Sequence, residues 1–149
     1  MTTNFIDYNQ VLDDMKSLIE TKVTSASVPF KVVGTNLATR DFTFNGMPLC
    51  DVRLSTLDPE VLAGQNYYSG LALELEIAAF DLSSKDKAAR IANELLAKSQ
   101  RAIVENSHFG AVWESVNLGH VDFITAENDK EGFAASVVAQ VVIKLYEDR

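Results

Sequence analysis

The residues best suited to chemistry are crowded into one stretch. Residues 106–120, NSHFGAVWESVNLGH, hold both histidines, His108 and His120, the single tryptophan, Trp113, and Ser107, with Gly110 and Gly119 beside them. The one cysteine, Cys50, lies far away along the chain. Nucleophilic catalysis would set Cys50 or Ser107 against a histidine that a third group orients. The spacing does not assemble such a set, because Cys50 falls in a strand pattern and the histidines flank a connection. Neither a GxxxxGK[ST] phosphate loop nor a GxGxxG turn occurs. One thiol and two histidines make no internal disulfide and no zinc framework. Glu74 and Glu76 are paired carboxylates, but strand alternation turns both outward, where solvated glutamates are ordinary. The expectation is a protein that is not an enzyme and holds no cofactor or metal.

A single domain must position these residues. With 149 residues, 47% of them apolar, the chain can bury one sizeable core. No apolar run is long enough to cross a bilayer, and MTTNFIDYNQ lacks the basic flank and apolar stretch of a secretion signal. A reducing interior such as the cytoplasm is expected. The net charge of −8 argues against binding DNA through phosphate neutralisation, though not against a passage along which DNA moves without sticking.

From residue 7 to about 25, Val11, Leu12, Met15, Leu18, Ile19 and Val23 recur at helical spacing, and Asp7 with Gln10 resembles a capping box. FKVVG, after Pro29, reads as a short strand. FTFNGMPL, residues 42–49, reads as a protruding hairpin, because Asn45 and Gly46 suit a type I′ turn that faces Phe44 to Met47 and Phe42 to Leu49. Pro48 cannot donate to a ladder, so this hairpin belongs at a sheet edge, covered by its own core or by a neighbouring subunit. The switch of apolar parity to Cys50, Val52 and Leu54 predicts a bulge or bend. STLDPEVLAGQNYYSG reads as a loop that includes Asp58, Glu60, Tyr67 and Tyr68.

LALELEIAAFD alternates as a strand with one buried face. Ser83 with Asp86 then opens a helix of about six turns, with Ala88, Ile91, Ala92, Leu95, Ser99 and Ala102 inward and the pairs Arg90–Glu94 and Glu94–Lys98 outward. Asn106 and Gly110, in left-handed conformations, end it, and Phe109, Trp113, Val116 and Leu118 seal the corner. LGHVDFIT gives a short strand and AENDKEG an acidic loop with Glu127, Asp129 and Glu131. From Phe133 to Leu145 every second residue is apolar, which predicts a strand from Gly132 to Tyr146 that spans roughly 50 Å and must bend or reach past its domain. The fold class is α+β: a mainly antiparallel sheet with two helices packed on one face and a protruding β-hairpin, over residues 1–149 as one domain.

The wording SGLALELEIAAFD, SSKDKAARIANELLAKSQRAI, NSHFGAVWESVNLGHVDF and the closing VVIKLYED resembles the tail terminator, or tail completion, proteins of long-tailed bacteriophages, over residues 7–147. The resemblance implies a virion protein of the tail or neck, made in the host cytoplasm. Its homohexameric ring would cap the tail tube, end tube polymerisation and join the head-side connector, or stopper, protein, while genome DNA passes the lumen without specific binding. That family brings no catalytic residue, cofactor, metal or membrane. From the residues themselves, Phe42, Phe44, Asn45, Gly46, Met47, Tyr67 and Tyr68 are the candidate subunit or docking interface. Asp58, Glu60, Glu127, Asp129 and Glu131 are candidates for the lumen or the docking loops. The alternative is a small dimeric ligand-binding or regulatory α+β domain with an apolar pocket beneath Trp113.

Overall fold

The computed structural model describes residues 6–37, 47–63, 66–129 and 132–148. Its elements are α1 (Tyr8–Lys22), β1 (Val32–Thr35), β2 (Leu49–Ala63), β3 (Asn66–Asp81), α2 (Lys85–Glu105), β4 (Trp113–Asp129) and β5 (Gly132–Asp148). The strands form one five-stranded sheet in the order β1-β2-β3-β5-β4. Only β1 and β2 run parallel; the other neighbours are antiparallel.

Strand alternation sets the core. Leu71, Leu73, Leu75, Ile77 and Ala79 of β3 and Val137, Ala139, Val141, Ile143 and Leu145 of β5 bury one face of the sheet against both helices. β3 and β5 pair residue for residue from Asn66↔Asp148 to Asp81↔Phe133 without a register shift, a ladder of roughly 50 Å at about 3.3 Å per residue. The α1 stripe of Val11, Leu12, Met15, Leu18 and Ile19 is buried as its spacing requires. Ala88, Ala92, Leu95, Leu96, Ser99, Ala102 and Ile103 form the buried stripe of α2.

The helix ends depart from expectation in ways that local chemistry explains. Asp7 accepts a bond from the Asn9 amide at 2.9 Å, but Gln10 donates through Nε2 to Asp14 Oδ1, so there is no capping box. Ser84, not Ser83, caps α2 and accepts from the Lys87 amide. Asp81 fixes this entry by accepting from the Ser83 and Ser84 amides and the Ser83 hydroxyl. The Ser83 amide above all holds the Asp81 carboxyl below the ordinary carboxylate range. This support is therefore present above the usual carboxylate pKa and is lost as pH falls through the lowered one. Glu94 accepts from the Ser27 amide and hydroxyl instead of pairing with Arg90 or Lys98, and Arg90 pairs with Asp86 at 2.8 Å.

Two expected loops are largely strand. Residues 55–63 and 66–70 belong to β2 and β3, which form a long arm. Register shifts at Leu54/Thr56 and Val61/Ala63 break the apolar alternation, and past Thr35 β1 no longer flanks β2, so Pro59 sits on an edge that tolerates it. The bulge foreseen after Pro48 therefore lies farther on, at Leu54/Thr56. Of AENDKEG, residues 126–129 end β4 and Gly132 starts β5, with Glu127 opposite Ala134 and Asp129 opposite Gly132; residues 130–131 lie outside the described residues. The final strand is as long as its pattern implies.

The Trp113 corner is packed, but not through left-handed residues. Asn106 has φ −125° and closes α2 by donating its amide and its side-chain Nδ2 to Ala102 O. Among the described glycines only Gly132 has a positive φ. Gly110 serves packing instead, because a Cβ there would overlap the Trp113 indole. Trp113 is 3% exposed, whereas Phe109 and Leu118, expected as buried pegs, are 37% and 41% exposed. Trp113→Ala should lower unfolding free energy by about 3–5 kcal/mol in a denaturant titration. Gly110→Ala should destabilise through the same contact. His108→Ala, at an exposed ring, should cost less than about 1 kcal/mol.

Candidate functional site

The sheet face away from the helices carries the most organised polar group. Cross-strand pairing of Asp51 with Glu76 and of Arg53 with Glu74 gathers all four residues there. Arg53 meets Asp51 Oδ2 at 3.0 Å, Glu74 Oε2 at 3.0 Å and Glu76 Oε1 at 3.1 Å. Burial works to lower the Arg53 pKa, but the bonds to Glu74 and Glu76, the charge of Glu76 and the bond to Asp51 outweigh it and raise the guanidinium above its ordinary value. Asp51, 1% exposed, also accepts from the Leu37 amide at 2.7 Å, so the cluster ties the chain after β1 to β2 and β3. Glu74 and Glu76 are thus partners of one guanidinium, not the freely solvated pair that alternation implied.

The residues with nucleophilic or acid–base potential are not brought together. Cys50 is buried beside Ile77, and burial, with the charge of Asp51, pushes its thiol far above the ordinary range. A thiolate nucleophile does not form there. His108 Nδ1 lies 3.1 Å from Trp113 O at the end of α2, while His120 Nε2 lies 2.8 Å from Asp122 Oδ1 on β4. Among the described residues no cluster of three or more histidine, cysteine or acidic side chains has metal-binding geometry. No described helix is long and apolar enough to cross a membrane.

Of the expected interface residues, Phe42, Phe44, Asn45 and Gly46 lie outside the described residues. Met47 is half-buried ahead of β2. Leu49 has a ladder partner on each side, Val32 and Ala78. Within the described residues β2 and β3 pair as a long hairpin, with Tyr67 and Tyr68 on one strand and Asp58 and Glu60 on the other. Tyr68 meets Tyr146 edge-on, with ring centroids 5.4 Å apart, and Lys144 Nζ lies 4.2 Å from the Tyr68 ring centroid.

The acidic candidates fall into two groups. Asp58 and Glu60 sit on the β2–β3 arm, which neighbours the Asp148 end of β5. Glu127 and Asp129 sit at the β4–β5 end, which neighbours Asp81; Glu131 lies outside the described residues. Antiparallel pairing therefore sends the two hairpins to opposite ends of a ladder roughly 50 Å long.

One surface went unread in the sequence. Between α2 and the β4–β5 end lies an apolar groove of about 390 Å³, lined by Lys85, Ala89, Ala92, Phe123, Ile124 and Val137 among others. Phe123 is 67% and Ile124 49% exposed. Their exposure follows from β4 being the last strand of the sheet. Trp113 does not line this groove; Gly110 closes against its indole where a pocket was expected.

Arg53→Met should cost about 3 kcal/mol in chemical denaturation, because it leaves a nearly buried Asp51 and two neighbouring carboxylates without their counter-ion. Arg53→Lys should recover only part of that, since an ammonium lacks the planar fork that reaches three partners. No family model matches the chain, and no curated protein matches it.

Proposed function

We propose that this chain is a structural virion protein, a tail terminator that forms a hexameric ring, caps the phage tail tube, ends its polymerisation and joins it to the head-side connector. The observation that carries the reading is the placement of two acidic hairpin ends at opposite ends of one unbroken ladder. A cap of this kind needs two docking surfaces held apart by a stiff body, one for the tube and one for the connector. A single domain with projecting ends meets that need without a hinge. Tyr68 of β3 with Lys144 and Tyr146 of β5, and Met47, supply the aromatic and cationic surface expected of a subunit contact. A ring closes when such contacts are head-to-tail and the rotation between copies is right. The net charge of −8 suits a lumen through which DNA slides, because like charge denies the phosphates a binding site.

Light scattering on the purified protein with tail-tube ends should give a species of six 16.4 kDa chains, about 98 kDa, bound at the ends. Addition of the protein should stop further tube growth. A chain that stays monomeric and leaves tube growth unchanged would contradict the reading.

A further inference from the structure

We draw no further inference here: the strongest candidate, the apolar groove of about 390 Å³ between α2 and the exposed Phe123 and Ile124 of β4, carries nothing because nothing in the structure shows what covers it.

Discussion

The structure depends on the β3–β5 ladder. Its sixteen consecutive pairs run without a bulge, and a slip of one residue would turn Leu71, Leu73, Leu75 and Ile77 of β3 or Val137, Val141, Ile143 and Leu145 of β5 away from the core. The apolar alternation of LALELEIAA against ASVVAQVVIKL therefore locks the register. Both helices lie on the face this creates. The other strands are built outward from it, β2 and β1 on one side and β4 on the other; β2 and β4 carry register shifts where they pair with β3 and β5, and β1 carries none. Rigidity at the centre and irregularity at the margins is the division of labour expected of a body that must present edges and ends to other molecules.

The second face of the sheet has no helix, and there polar chemistry takes over the work of fixing strands. Arg53 reaches two acceptors on β3 and one on its own strand, and Asp51 adds the Leu37 amide. A partly buried ion cluster contributes little net stability, since desolvation offsets most of the attraction, but it penalises any register in which a charge lacks its partner. It sits just before β2 begins to bulge at Leu54. The alignment of the arm is thus set by apolar alternation on one face and by charge pairing on the other.

The core was legible because period and burial agree. Val11 to Ile19, Leu71 to Ala79 and Val137 to Leu145 are read correctly from spacing alone. The arm was not, since STLDPEVLAGQNYYSG is rich in turn formers and its two register shifts break the period of two. Strand pairing there comes from the ladder beside it and not from local propensity. Glu74 and Glu76 read as solvated because nothing in β3 itself announces Arg53 across the strand. LGHVDFIT reads only as a short strand, and nothing in it announces the exposure of Phe123 and Ile124, because strand order, a tertiary fact, makes β4 the last strand among the described residues. Asn106 and Gly110 were right as a helix stop and corner but wrong in mechanism: a side-chain cap and room for an indole replace left-handed backbone.

Two of the chemistry-bearing residues are held in structural contacts. Cys50 is in the core, and His108 lies against the Trp113 carbonyl. The exposed features among the described residues include hairpin ends, an edge strand and an apolar groove. The role proposed for the chain is to end a tail tube and join it to a head. Electron microscopy of particles assembled without this chain tests it most directly. The account predicts overlong tails of variable length, free of heads; tails of uniform length joined to filled heads would contradict it.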